Sequence, residues 1–532
     1  MKVFKVFFLT LTLLTSSISL SQQLEGENNT YTIEELRNIF QEFNEQVSLT
    51  YYRNDAYGEE IDTTRFTDEY NYILTDRTLL NSLWEGYMKE SDPELKESYL
   101  RFYKELSTDI IWQNLRAYLD ELYNLEASLE VYLDDTVIAY RDVGTEIYIS
   151  DDRNYRRELY EAIRPATLKY INPLLRTIVD EQRKLCRELG FADYDDYWQN
   201  VHSLNFDEFS HITEQLLFET NTLFREMLEE RVGETLKDLK IEDIKPYDRS
   251  QLFRIRGYDE LFTKEKMLPT MKNFLLGLGI NLENQKNINI DFSDIPEKGA
   301  RASTYIIRVP SDIRVLGKPS AGIDDYAALF HEMGHAQHYA NTKEPRYEFH
   351  LLGDGGLSEC YAFLFEEMLM DPLFLTEEIG VSNAMAKQIV RRNLFSYLYS
   401  LRYYITLFNY ERGLHQGVED PVELYRELME TNLLLPRTRE DAELGYLSAN
   451  EDFYSVYYLE AWFASVMLRR YLEDNYGRRW YKNKKAGEFL MDLWATGERY
   501  STRELIHKLG YNDFEVEPVI NYIEQRYQFS AE

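Results

Sequence analysis

A chain of 532 residues with 44% hydrophobic side chains can bury a large core, and its 29% of charged residues argues against general disorder. Acidic residues outnumber basic ones by 93 to 59, which gives a formal net charge of −34. This excess argues against nucleic acid and anionic lipid as partners, because both attract basic patches.

The first 21 residues have the organisation of a cleavable signal peptide. Lys2 and Lys5 precede a short apolar run, and residues 19–21 read Ser-Leu-Ser, the small-x-small pattern of a cleavage site. The apolar run is too short to span a bilayer. We therefore expect an exported protein, periplasmic or secreted, that is not inserted in a membrane after cleavage. An uncleaved N-terminal anchor is the alternative.

Most of the remaining chain shows the apolar spacing of amphipathic helices. Asp92 precedes Pro93 at the start of one such stretch, which is the arrangement of a capping residue before a first-turn proline. Similar patterns fill 153–189, 206–240 and 384–416. Because only 13 prolines occur in the chain, long helices are easily accommodated.

Two stretches are predicted to be extended. Residues 136–150 are rich in β-branched side chains around a glycine and predict a hairpin. Residues 303–316 predict a strand that is broken near Pro310. Without low-complexity linkers or repeats, the simplest expectation is one intertwined helical domain over 22–532, with a small β-sheet beside the motif described next. Cys186 and Cys360 are expected to be free and buried.

Residues 328–340 read ALFHEMGHAQHYA and contain two histidines four positions apart. If 324–340 is helical, His331 and His335 lie one turn apart on one face, so both imidazoles can reach one ion at about 2.0–2.1 Å. Glu332 is rotated away from that ion but can reach a water molecule on it. The pattern predicts a zinc site with Glu332 as general base. A helix with ordinary hydrogen-bonded histidines is the alternative.

A zinc hydrolase needs a third protein ligand and an open position. A second predicted helix, 357–371, begins near Glu359, and antiparallel packing would bring this carboxylate to the ion. Glu366 lies on the same face and could orient a ligating histidine. His338 is about 10 Å along the first helix from His331 and is interpreted as a packing or cleft-lining residue.

At this point the sequence resembles the zinc oligopeptidase superfamily, namely the thimet oligopeptidase and oligoendopeptidase family and its relative, angiotensin-converting enzyme. The segments that carry the resemblance cover most of residues 180–510 and read HEMGH, SECYAFLFEEML, RKLCRELGFADYDDYW (183–198), KGARASTYIIRVP (298–310) and YYLEAWFASVML (457–468). The resemblance implies a mainly helical body divided by a deep channel that admits short peptides, with a zinc-site core at 298–470.

The same resemblance implies roles for individual residues. One zinc ion would be bound by His331, His335 and Glu359, with Glu332 as general base. Tyr458 would support the tetrahedral intermediate and Arg301 would contact the substrate. Further substrate contacts are expected from Ala302 and Ser303 through their backbone, and from Tyr454 and Tyr457 beside Tyr458.

Two positions depart from the family pattern. Both relatives have a histidine about ten residues before the catalytic tyrosine, where this chain has Ser448. The lysine with which angiotensin-converting enzyme binds the substrate carboxylate corresponds to a position near Tyr446. These departures leave the choice between endopeptidase and dipeptidyl carboxypeptidase open.

The sequence thus predicts a monomeric, secreted or periplasmic zinc metallopeptidase (an oligopeptidase or metalloendopeptidase). It would hydrolyse short peptides by Glu332-assisted attack of zinc-bound water. The alternatives are a dipeptidyl carboxypeptidase, a catalytically inactive helical peptide-binding protein that keeps a structural metal, and a zinc hydrolase of non-peptide amides.

Overall fold

Helices make up most of the protein in a computed structural model, with two small sheets beside them. The structure describes residues 31–59, 61, 63–133, 135–253, 258, 260–296, 298–299 and 302–531. The predicted mainly helical fold class is confirmed. The predicted signal peptide (1–21) and Arg301 lie outside the described residues.

The first half of the described chain contains the helices α1 (Ile33–Tyr57), α2 (Thr63–Leu74), α3 (Arg77–Lys89), α4 (Pro93–Ser128), α5 (Tyr140–Ile149), α6 (Arg153–Ala162), α7 (Arg164–Ala166), α8 (Asn172–Glu188), α9 (Tyr194–His202), α10 (Phe206–Thr235) and α11 (Lys264–Gly277). The second half contains α12 (Ile323–Asn341), α13 (Tyr347–His350), α14 (Gly356–Glu366), α15 (Pro372–Phe374), α16 (Asn383–Gln416), α17 (Pro421–Leu433), α18 (Arg439–Glu443), α19 (Tyr454–Tyr476), α20 (Lys484–Trp494), α21 (Thr502–Lys508) and α22 (Val516–Ala531). The strands are β1 (Glu130–Leu133), β2 (Thr136–Ala139), β3 (Ile288–Asp291), β4 (Ser303–Arg308) and β5 (Asp312–Leu316).

Several predicted helix boundaries agree with the structure. The Asp92 side chain accepts a hydrogen bond from the backbone N–H of Leu95, and α4 begins at Pro93 as predicted. The pattern over 384–416 corresponds to α16, and that over 206–240 to α10, which ends earlier, at Thr235. The pattern over 153–189 is divided among α6, α7, a π-helical turn (Thr167–Ile171) and α8.

The prediction of a hairpin over 136–150 is wrong. Only β2 is extended, and it pairs antiparallel with the upstream strand β1, whereas residues 140–149 form helix α5. Val143 and Ile147 are one helical turn apart and pack against the same small core as Val131. Their β-branched side chains therefore lie on the face of a helix that packs against this core, because tertiary packing outweighs local strand preference.

The predicted strand over 303–316 is confirmed as two strands that separate near Pro310. Strand β4 pairs antiparallel with β5, and β5 pairs parallel with β3, which gives the order β3–β5–β4. Among the described strands, β4 is hydrogen-bonded on one side only, so it is an edge of this sheet.

Two hydrophobic clusters form most of the core. The larger one draws side chains from Ile111 to Ile523 and includes the buried faces of α12, α14, α16 and α19. The second lies among α1, α2, α3 and α4 and reaches Tyr347. Beside it, the buried carboxylate of Glu348 accepts hydrogen bonds from Arg37 (2.6 and 2.9 Å) and Ser98 (2.6 Å). This ion pair ties α13 to the N-terminal helices.

Both cysteines, Cys186 and Cys360, are free and buried, as predicted. Within the described part of the chain, no helix combines the length and the apolar character that a membrane crossing requires.

Candidate metal centre

The helix that carries the two motif histidines forms where the sequence predicts it. Helix α12 spans Ile323–Asn341 and begins after Gly322, with Asp324 and Asp325 in its first turn. The Asp325 carboxylate accepts backbone N–H groups of Ser320 (2.6 Å) and Ala321 (3.0 Å), which anchors the chain as it enters the helix.

Helix α14 begins directly after a glycine turn and runs beside α12. Gly355 has a φ of 73°, a left-handed conformation that favours glycine, and α14 starts at the next residue. At Gly334 of α12, an added Cβ would lie 2.5 Å from both Ala362 Cα and Tyr361 O of α14. The two helices therefore touch backbone to backbone, and only glycine allows this approach.

This packing brings three predicted ligand atoms together. His331 Nε2 lies 3.3 Å from His335 Nε2 and 3.3 Å from Glu359 Oε2, and His335 Nε2 lies 3.6 Å from the same carboxylate oxygen. Donor atoms about 2.1 Å from a tetrahedral ion lie about 3.4 Å from one another. The three distances thus fit one ion with a fourth position left open. Glu359 Oε2 is buried, and no described residue donates a hydrogen bond to it.

Each of the two histidines is hydrogen-bonded through Nδ1, the ring nitrogen that does not face the other ligands. His331 Nδ1 lies 2.9 Å from Glu366 Oε2, and His335 Nδ1 lies 2.7 Å from Ser358 Oγ. Both contacts leave Nε2 for a metal and fix the orientation of the ring. Glu366 is where the prediction requires it, whereas Ser358 was not predicted. In the sequence, only its position next to Glu359 could have indicated this role for Ser358.

The protonation of the two histidines differs because their surroundings differ. Burial acts to lower the pKa of His331, but its close contacts with the carboxylates of Glu359 and Glu366, and their negative charges, outweigh it and raise this pKa well above its usual value. Burial lowers the pKa of His335 to about 4, so this ring is neutral near pH 7. A metal would therefore compete with one proton, on His331.

Glu332 belongs to α12, and its backbone is hydrogen-bonded to the edge strand β4. The hydroxyl of Thr304, on β4, donates a 2.8 Å hydrogen bond to the backbone carbonyl of Glu332. Burial raises the pKa of the Glu332 carboxyl above its ordinary value, an effect that the charge on His331 and hydrogen bonds from Thr304 oppose in part. A carboxyl with a raised pKa is better suited to accept a proton and return it.

The predicted tyrosines of α19 lie on different sides of that helix. The Tyr454 hydroxyl donates a 2.9 Å hydrogen bond to Glu359 Oε1. The ring of Tyr458 is 4.9 Å from that of Tyr454 and 5.4 Å from that of Phe363. Tyr457 instead packs 4.4 Å from His202. Tyr454 and Tyr458 are therefore grouped with the three ligands, and Tyr457 is directed elsewhere.

Of the predicted substrate contacts on the sheet, Ala302 and Ser303 are half-buried at the start of β4. The Ser303 hydroxyl donates to the Ala302 carbonyl at 2.8 Å. Since β4 is an edge strand, its backbone can pair with another extended chain.

The two positions that depart from the family pattern lie in ordinary surroundings. Ser448 is exposed and its hydroxyl donates to the Gly445 carbonyl at 3.1 Å. Tyr446 is buried, and its hydroxyl accepts a hydrogen bond from Arg176. His338 is fully buried, with Nε2 3.2 Å from the Gly497 carbonyl, so it is the packing residue that its spacing predicts.

Comparison of the chain with protein-family models and with curated protein sequences found no match.

Proposed function

We propose that this protein is a zinc-dependent metallopeptidase of the oligopeptidase type, which hydrolyses peptide bonds in short peptides. The observation that carries the proposal is the convergence of His331, His335 and Glu359 at tetrahedral distances, next to Glu332. Two imidazoles and one carboxylate are the donor set of many hydrolytic zinc sites.

The chemistry divides between the metal and the side chains around it. When bound, a zinc ion acts as a Lewis acid on the scissile carbonyl and makes water acidic enough to react near neutral pH. Glu332 accepts the proton that water loses as its oxygen attacks the carbonyl carbon. The same carboxyl then delivers that proton to the amide nitrogen, so that the C–N bond breaks and an amine leaves.

A peptide is the substrate class that the surroundings favour. Among the described strands, β4 has a strand neighbour on one side only, and the Thr304 hydroxyl ties it to the backbone of Glu332. A peptide that pairs with this edge would lie extended beside the proposed base. The resemblance to oligopeptidases supports the same reading, with one domain over 22–532, a deep channel for short peptides, and an exported, monomeric protein.

Hydrolysis of a short peptide should depend on metal and on substrate size. We expect the protein to cleave an unstructured octapeptide and to lose this activity after chelation and dialysis, with recovery on addition of about one equivalent of Zn²⁺. Mass spectrometry of the products and metal analysis provide the measurements. Cleavage that continues in fully chelated protein would contradict the proposal. Digestion of unfolded casein as fast as that of the octapeptide would contradict the proposed deep channel, which should admit only short peptides.

The two tyrosines near the ligands should differ in kinetics. Replacing Tyr458 with phenylalanine should lower kcat about 100-fold with little change in KM, because a hydroxyl that donates to the oxyanion acts mainly in the transition state. Replacing Tyr454 with phenylalanine should instead weaken zinc binding, since its hydroxyl holds Glu359.

Steady-state kinetics at saturating zinc and zinc titrations separate the two effects. Tyr457→Phe serves as the control, because Tyr457 packs against His202 instead. If kcat fell strongly in Tyr454→Phe but not in Tyr458→Phe, Tyr454 would be the residue that donates to the oxyanion.

A further inference from the structure

Helix α19, which carries Tyr454 and Tyr458, begins directly after an unusual turn. Asp452 and Phe453 both have a φ of 56°, and among the described residues they are the only two consecutive non-glycine residues in the left-handed region. This conformation is unfavourable for residues with a Cβ and persists only where surrounding contacts hold it. Phe453 immediately precedes the helix, and its side chain makes no capping hydrogen bond. The groups that hold this turn must therefore come from elsewhere in the chain.

The backbone of the turn is held by Glu411, a fully buried residue of α16. Glu411 Oε1 accepts hydrogen bonds from the backbone N–H groups of Glu451 (2.6 Å) and Phe453 (3.1 Å). Glu411 Oε2 accepts a third hydrogen bond, from the Ser455 hydroxyl in the first turn of α19 (3.0 Å). One carboxyl group therefore fixes both the turn and the start of the helix. It provides from a distant helix the acceptor that the residue before α19 lacks.

Side chains of two further helices contact the same turn. The Asp452 carboxylate accepts a 2.6 Å hydrogen bond from the side-chain amide of Gln182, a fully buried residue of α8. The Phe453 ring is also fully buried, 6.2 Å from the ring of Tyr194 on α9. Of these contacts, only those of Glu411 bind the main chain of the turn. Loss of Glu411 is therefore the change that should loosen the turn most directly.

The residue that follows the turn reaches the candidate metal centre. Tyr454 is the first residue of α19, and its hydroxyl donates a 2.9 Å hydrogen bond to Glu359 Oε1. The backbone of the turn sets the direction of the Tyr454 side chain, so it determines whether the hydroxyl can reach Glu359. A displacement of about 1 Å would be enough to break a hydrogen bond of this length.

We propose that Glu411 is a positioning residue for the candidate metal centre. It acts on the ligand Glu359 through the turn and through the hydroxyl of Tyr454. The affinity for zinc then depends on a buried carboxyl group of α16 whose own hydrogen bonds are all to the turn and to α19. In taking the convergent side chains to bind zinc, the inference rests on the proposed function.

The test is a double-mutant cycle on zinc affinity, in which no turnover is needed. Competition with a chelator gives the zinc affinity of the full chain as wild type, Glu411→Leu, Tyr454→Phe and the double variant. Glu411→Leu should weaken zinc binding about 10-fold, because the Tyr454 hydroxyl no longer holds Glu359. In the Tyr454→Phe background the same change should have less than about a twofold effect, because the hydroxyl that transmits it is gone. Glu411→Gln keeps an oxygen that can accept both N–H groups, so it should bind zinc as the wild type does.

The matched control is Glu348→Leu, because Glu348 is also fully buried and also accepts three hydrogen bonds, but on α13. It should lower the Tm about as much as Glu411→Leu does and leave the zinc affinity unchanged. Ser455→Ala removes one of the three hydrogen bonds of Glu411 and little volume, so it tests the same proposal in a chain that keeps its core. Its effect on zinc affinity should be smaller, about threefold, and should likewise disappear in Tyr454→Phe.

Hydrogen–deuterium exchange of the metal-free proteins tests the turn directly. Exchange at the amides of Glu451 and Phe453 should be faster in Glu411→Leu than in the wild type, and unchanged in Glu348→Leu. The proposal is overturned by wild-type zinc affinity in a folded Glu411→Leu, or by an equal loss of affinity with and without the Tyr454 hydroxyl. A wild-type protein that binds zinc but hydrolyses no peptide would contradict the proposed function and leave the result of this cycle intact.

Discussion

Replacing Glu332 with glutamine is expected to abolish peptide hydrolysis while zinc binding is retained. Glutamine has nearly the same shape but cannot accept the proton that water must lose, so kcat should fall by about 1,000-fold or more. Zinc content should be unchanged, because Glu332 is not among the three side chains whose donor atoms converge. Steady-state kinetics on the octapeptide and metal analysis of the same sample give both quantities.

The matched comparison is Glu366→Gln, which changes the partner of His331 Nδ1 and leaves the proposed base intact. This variant should bind zinc about 10-fold to 100-fold more weakly but regain most of its turnover at saturating zinc. If Glu332→Gln retained wild-type turnover, another group would have to accept the proton and the mechanism proposed above would be wrong.

Removal of the third ligand should abolish zinc binding as well as hydrolysis. Glu359→Ala leaves two imidazoles, which cannot hold zinc firmly, so both bound metal and hydrolysis should disappear after dialysis. A ligand present at about 1,000 times its Kd stabilises the folded state by about 4 kcal/mol. Added zinc should therefore raise the Tm of the wild-type protein and leave that of the variant unchanged.

Glu359→Gln provides the control for side-chain volume, because it keeps the shape and an acceptor for the Tyr454 hydroxyl. It should also lose zinc, since the negative charge is gone. Stoichiometric zinc in dialysed Glu359→Ala would show that the metal binds elsewhere, and the candidate centre would have to be abandoned.

The parts of the site that the sequence predicts well are those determined within one helix. The four-residue spacing of His331 and His335 is a local property of α12, and the start of α14 near Glu359 follows from the glycines before it. Helix periodicity even places Glu366 on the correct face. These features need no knowledge of distant contacts.

The features that sequence reasoning missed depend on contacts between distant segments. The hydrogen bond from Tyr454 to Glu359 requires the packing of α19 against α14. The hairpin error over 140–149 has the same origin, because β-branched residues there face a core that the local pattern does not reveal.

The backbone contact at Gly334 has a consequence for how this centre can change over time. Since a side chain at Gly334 would collide with the backbone of α14, the spacing between the two ligand-bearing helices is fixed by main chain against main chain. Changes in the properties of the site are then expected from residues around this contact that have no role assigned above. The protein would thus keep one distance between these helices while the residues around them vary.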